Sequence, residues 1–158
     1  MKNFIFIILS IIMVVSCSES SKDIKPVVFD VYNGYFVKND VTPDNEVLYF
    51  ISSQYNDFDK YFGMAAIMSK QKWIEDNNLA NQMIIAVANK VDNNTESVKI
   101  DSVQMQNNTV YIDYTITALK NPTTYTSRHL SVIVAAVRNV KKAIFREAGR
   151  EVKQIDLK

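Results

Sequence analysis

Two kinds of hydrophobic pattern run through the second half of the chain, and they predict strands in different surroundings. Val110, Ile112, Tyr114 and Ile116 alternate with Tyr111, Asp113, Thr115 and Thr117. That period of two belongs to a strand with one covered face and one wet face. Residues 83–88 and 130–137 are apolar at both parities instead, which predicts strands covered on both sides. Before the alternating strand, Val98 and Ile100 keep one parity and Val103 and Met105 the other, so a bulge is expected near Ser102. Turn-forming residues at 92–94, 106–108, 120–124 and 148–150 separate these strands from a shorter one over residues 143–146 and a last one over 152–157.

The first half is richer in aromatic residues. Residues 27–32 begin a β-rich run, and Asn33-Gly34 then sits between Tyr32 and Tyr35, with Phe36-Val37 following. An Asn-Gly pair so flanked predicts a tight hairpin, because both central turn positions need positive φ. Its aromatic residues, Tyr32, Tyr35 and Phe36, are the candidate contact patch for a partner. A polar loop over 38–46 leads to a strand over 47–51. Ser52 or Ser53 then caps a short helix in which Phe58, Tyr61 and Phe62 share one face and Gly63 marks the end. Residues 64–68 read as a buried apolar connector, and Ser69 as the cap of a second short helix through Trp73 and Ile74 to Asn77-Asn78. Many short strands with regular turns predict a mainly β (α+β) domain. Its expected form is an antiparallel β-sandwich or barrel with one or two short helices inserted early.

The N-terminus predicts export. Residues 4–15 are almost wholly apolar behind Lys2, but too few for the roughly 20 that a transmembrane helix needs, so they read as a signal-peptide core. The run ends in Val14-Val15-Ser16-Cys17, which resembles the bacterial lipobox, with valine where leucine is usual. That resemblance implies cleavage before Cys17, diacylation of this residue and a lipoprotein of the bacterial cell envelope. The expected organisation is a signal peptide over 1–16, an acylated cysteine with a flexible tether over 17–26, and one β-rich domain over 27–158. Acyl chains on Cys17 would supply the membrane attachment at roughly 0.8 kcal/mol per buried methylene. Ser18, and not aspartate, follows the cysteine, which favours the outer membrane.

Composition narrows the chemistry. The 18 basic residues nearly balance the 17 acidic ones, and Lys2 leaves with the signal segment, so the mature chain lacks the positive footprint of a nucleic-acid binder. Cys17 is the only cysteine and His129 the only histidine, which excludes disulfides and His-rich metal sites. With three glycines, no phosphate-cradling loop exists, and no cofactor is expected. Asp101 and Asp113, if opposed on paired strands, are the candidate carboxylate pair for acid–base work. Their polar positions on amphipathic strands fit solvated acids better. A Ser–His–Asp arrangement can be assembled only around His129, which lies beside Arg128 at the mouth of a strand, where a surface role is the simpler reading.

Two resemblances bear on function. Asn121-Pro122-Thr123-Thr124 resembles a loop of chagasin-like cysteine-protease inhibitors, although Tyr125 replaces the glycine that follows there and the family's two other loops are absent. Residues 47–155 resemble the PrcB-like lipoproteins, exported proteins related to the C-terminal domain of a protease complex subunit. The likeness is carried by Phe58-Asp59-Lys60-Tyr61-Phe62-Gly63, by the apolar strands at 83–88 and 130–137, by the amphipathic strands between them, and by the terminal hairpin. The chain departs from that pattern at Asp92-Asn93-Asn94-Thr95, where the family often carries Gly-Gly-Tyr. The resemblance implies a small β-rich domain, not an enzyme, that binds or stabilises another envelope or secreted protein. Protease inhibition is the alternative, and a hydrolase or small-ligand binder using Asp101, Asp113 or His129 the remaining one. Oligomeric state stays open.

Overall fold

A computed structural model of the protein describes residues 23–39, 41–65, 72–75 and 79–157. The signal segment, Cys17 and the start of the tether lie outside the described residues. Of the second helix expected between Ser69 and Asn78, residues 72–75 are described and are irregular.

The strands are β1 (Lys25–Pro26), β2 (Phe29–Tyr32), β3 (Tyr35–Val37), β4 (Leu48–Ser52), β5 (Phe62–Met64), β6 (Met83–Ala88), β7 (Thr95–Gln106), β8 (Thr109–Ala118), β9 (Leu130–Ala135), β10 (Lys142–Glu147) and β11 (Arg150–Asp156), with one helix, α1 (Tyr55–Tyr61), before β5. They form a five-stranded sheet in the order β1-β7-β8-β10-β11, a four-stranded sheet in the order β2-β9-β6-β4, and a two-stranded ribbon of β3 and β5. The fold is mainly β and sandwich-like, as the strand pattern predicts. One pair departs from the antiparallel rule: β10 runs parallel to β8.

The molecule has three layers, which explains the two hydrophobic patterns. The five-stranded sheet packs one face on the four-stranded sheet and leaves the other to water, so β7 and β8 alternate; Val110, Ile112 and Tyr114 point inward. The four-stranded sheet is covered again on its far face by α1, the β3–β5 ribbon and the side chains of Ile74 and Leu79. Strands β6 and β9 are therefore buried at both parities. The register shift between Ile100 and Ser102 is the expected bulge. At the final hairpin, Ala148 and Gly149 both take positive φ, as a tight turn between β10 and β11 requires.

Five local expectations fail. Neither Ser52 nor Ser53 caps α1: Gln54 holds the N-cap position and makes no side-chain cap hydrogen bond. Asn33-Gly34 does not close a hairpin: β2 pairs with β9 and β3 with β5, so the turn carries the chain from the sheet into the cover layer. A hairpin of β2 and β3 would be an isolated ribbon, whereas each strand buries a face by pairing elsewhere. Gly63 does not end the helix; α1 stops at Tyr61 with Phe62 extended, and Gly63 sits in β5 opposite Phe36. A Cβ on Gly63 would lie 2.5 Å from Phe36 Cζ, so the glycine is there to let the Phe36 ring lie across the ribbon. Met64, expected in a buried connector, is exposed, and residues 66–68 of that connector lie outside the described residues. Finally, Lys25 and Pro26 pair with Met105 and Gln104, so strand pairing begins two residues inside the expected tether.

Candidate functional site

The aromatic residues singled out as a contact patch are mostly structural. The Tyr35 ring meets Phe58 at 5.0 Å and Trp73 at 5.4 Å, both edge-on. Its hydroxyl accepts the Ile74 N–H at 2.9 Å, and burial pushes its pKa up. Tyr32 lies beneath the Lys72 ammonium, 5.1 Å from its ring centroid. Phe36 keeps 48 % of its surface exposed, but its ring rests on Gly63.

The candidate catalytic groups are dispersed. Asp101 falls in the bulge, where it accepts the Thr115 hydroxyl at 2.6 Å and pairs with Lys99 at 3.1 Å. Asp113 is held by both prongs of Arg146, with Nε and Nη2 each at 2.8 Å, and accepts the Ser102 hydroxyl at 2.7 Å. The two carboxylates thus take different partners. His129 Nε2 lies 3.0 Å from Ser127 Oγ, and its backbone N–H donates to the buried Asn89 side chain. Asp92 bridges to Ser127 through the backbone, while its carboxylate accepts the Asn94 and Thr95 N–H groups and the Thr95 hydroxyl. Burial pushes the Asp92 carboxyl up, but these hydrogen bonds outweigh burial and hold it below the ordinary value. Its oxygens are engaged in closing a turn. Among the described residues, no three His, Cys, Asp or Glu side chains converge as metal ligands. The loop at Pro122 is fastened to the neighbouring turn by Thr123 N–H to the Asn93 carbonyl at 2.8 Å, and it leaves Tyr125 exposed.

A broad concavity lies elsewhere, along β4. This strand is an edge of the four-stranded sheet, and a groove of about 1200 Å³ runs beside it. One wall is Val137–Val140 with Ile155 and Leu157; the other is α1 with residues 79–83. Residues 41–43 and Glu46 close one end. That end is braced: Arg128 Nη2 donates to the Pro43 carbonyl at 2.8 Å, and the Val91 N–H to the Asp44 carbonyl at 2.7 Å. At the other end the Ser52 hydroxyl accepts the Gln54 N–H at 3.0 Å and reaches Asp57 at 3.2 Å. Lys60 bonds Asp57 at 2.8 Å, and that bond with its charge holds the Asp57 carboxyl below its usual range and raises Lys60.

The hydrogen-bonding parity of β4 follows from its neighbours. The Asn89 N–H donates to the His129 carbonyl, so odd-numbered residues of β6 bond to β9. The even ones, Ile84, Ala86 and Ala88, face β4, where they stand opposite Ser52, Phe50 and Leu48. Tyr49 and Ile51 therefore direct their N–H and C=O groups into the groove, and no strand among the described residues takes them up. Sequence reasoning missed this site because a run such as Leu-Tyr-Phe-Ile-Ser reads the same at an edge as in the middle of a sheet. The one available signal was the lack of any charge in it.

Searches of protein-family models, of curated proteins and of solved structures find no match to this chain.

Proposed function

We propose that this chain is a lipid-anchored protein of a bacterial cell envelope, held to the membrane through Cys17, whose β-rich domain binds another exported protein in the groove along β4. The observation that carries this reading is an uncharged sheet edge, paired by no strand among the described residues, at the floor of a walled groove. Outward-facing backbone groups between walls of mixed polar and apolar side chains favour a polypeptide that brings both hydrogen bonds and hydrophobic surface. At about 1200 Å³ the groove exceeds the ~300–1,000 Å³ typical of small-molecule sites. The lipobox-like Val14-Val15-Ser16-Cys17 and the resemblance to PrcB-like lipoproteins support the same assignment. Lipid on the cysteine would relieve the domain of any membrane-binding duty and leave this surface for a partner.

The test has two arms. Intact mass and fractionation should show a lipid-sized mass and membrane attachment that Cys17→Ala abolishes. A photo-crosslinker replacing Lys60 or Asn81, on the groove walls, should trap one exported protein reproducibly, while the same group at Glu96 or Lys120, away from the groove, should not. Equal yields at all four sites would defeat the groove as a binding site. Protease inhibition is a second reading, favoured by the braced loop that presents Tyr125; failure of the pure protein to inhibit cysteine and serine proteases removes it.

A further inference from the structure

We propose that the groove receives an extended segment of the exported partner, which adds to the four-stranded sheet as a fifth strand beside β4. This rests on the partner-binding reading above and states its mode and chemistry.

Edge strands invite pairing unless something discourages it. Three of the four edges of the two large sheets are guarded. β1 contains Lys25 and Pro26, and β11 carries Arg150, Glu151, Lys153 and Asp156. In β2, Asp30 is ion-paired to Lys72 at 2.9 Å. β4, with Leu-Tyr-Phe-Ile-Ser, carries neither a charge nor a proline. Natural sheets leave an edge in that condition at a risk of aggregation, and here the walls of the groove limit what can reach it.

Those walls also select the occupant. The free groups of Tyr49 and Ile51 take up alternate residues of an incoming strand, which needs about five residues, roughly 17 Å, to match β4. Side chains of one parity would lie against Val140, Ile155 and Leu157, and those of the other against Tyr61 and Leu79. The segment therefore carries apolar residues at both parities, interspersed with polar ones that meet Lys60, Gln82 and Asn139. Arg138 stands exposed on the wall and makes no ion pair among the described residues, so an acidic residue at its level completes the match. A second copy pairing through its own β4 does not fit. Its own β4 lies on a groove floor, and two recessed edges cannot approach to the ~4.8 Å spacing of paired strands.

The probe is a library of random decapeptides selected on the full-length lipoprotein in detergent, followed by amide hydrogen exchange with the best binder. Enriched peptides should combine apolar residues at both parities with one acid. Binding should slow exchange at Tyr49 and Ile51 by about tenfold or more, with little change at Leu48, Phe50 and Ser52, which already bond β6. Methylating alternate peptide nitrogens should weaken binding about tenfold, and so should Arg138→Glu. Peptide binding without protection of Tyr49 and Ile51 overturns strand addition. So does failure to enrich any peptide while groove crosslinks still trap a partner, and in both cases the partner-binding reading survives. Protection that rises with protein concentration in the absence of peptide assigns the edge to a second copy and overturns the proposal. Failure of peptides and crosslinks together removes both readings.

Discussion

The four-stranded sheet is covered on its inner face by Val103, Val110, Ile112 and Ala143, and on its outer face by the rings of Tyr35, Phe58, Tyr61 and Phe62. The inner partner is another sheet, a regular surface on which β-branched side chains interdigitate. The outer partner is a seven-residue helix, a short ribbon and an irregular segment, which offer no continuous surface. A few large rings fill that space. Phe58 stacks on Phe62 at 4.6 Å, and Phe50 meets both edge-on at 5.8 and 5.4 Å. Rings so arranged add about 0.5–1.5 kcal/mol per pair beyond their buried area. The inner core is thus held by many interchangeable contributions, and the cover by a few that are not.

The largest test of that difference is Phe58→Ala. Phe58 is 1 % exposed and contacts the rings of Tyr35, Phe50, Tyr55 and Phe62, so its loss should cost about 3–5 kcal/mol in urea unfolding. Trp73, the single tryptophan, reports the cover directly through its contact with Tyr35, and its emission should shift to longer wavelength before the sheets unfold. A cost near that of an ordinary surface change would abolish the distinction between the two faces.

Next comes a polar thread in the inner core. The Tyr49 and Tyr114 hydroxyls lie 2.9 Å apart, and Tyr114 donates to Glu147 Oε2 at 3.2 Å. Burial pushes both phenols up, Tyr114 much further, so both stay protonated and able to donate. Tyr114→Phe keeps the volume but leaves the Tyr49 hydroxyl and Glu147 short of a partner, at a cost of about 2 kcal/mol. An equal loss in Tyr49→Phe, with no further loss in the double variant, would identify the pair as the unit that matters.

Gly63→Ala probes the outer face more gently. The added methyl collides with the far end of the Phe36 ring, which is half exposed and free to swing away, so the cost should be about 1 kcal/mol. In a Phe36→Ala background the same substitution should cost less, and an unchanged cost would mean that the ring does not depend on the glycine.

These contrasts also explain what the sequence disclosed. The inner core was legible because alternation in residues 110–117 and its absence in residues 83–88 are direct consequences of one-sided and two-sided burial. The bulge at Asp101 was legible for the same reason, as a change of parity. The cover was not. Phe36 pairs with Gly63 across 26 intervening positions that include a loop, a strand and a helix, and no local spacing carries that information. Asn33-Gly34 has the residues of a hairpin, and Ala148-Gly149 looks weaker, yet the second closes a hairpin and the first does not. What decides is which strand buries the flanking side chains. The groove was hidden for a similar reason: being an edge is a property of the sheet, and no residue of β4 announces it.

The smallest expected effect lies where the chain passes between the two sheets. The Asp92 turn leads from β6 to β7, and the Asp92–Ser127 bridge ties it to the returning β8–β9 connection. If this crossing belongs to the rigid inner core, its carboxylate should leave a measurable trace in the pH dependence of stability. The Asp92 carboxyl lies below its ordinary value of 3.8 in the fold, so the unfolded chain takes up its proton more readily than the native state does. Its contribution is then fully present above the unfolded value and is lost as the pH falls through the folded one. In Asp92→Asn the remaining side-chain oxygen still accepts the Asn94 and Thr95 N–H groups, while the charge and the acceptor for the Thr95 hydroxyl are lost, so the cost at neutral pH should be about 0.5–1 kcal/mol. Urea midpoints of the two proteins, separated at pH 6, should converge as the pH falls below the ordinary value of 3.8, as expected of a carboxylate whose folded value lies below its unfolded one. A gap that stays constant over that range would mean that geometry alone closes the turn, and the crossing would then belong with the yielding cover and not with the core.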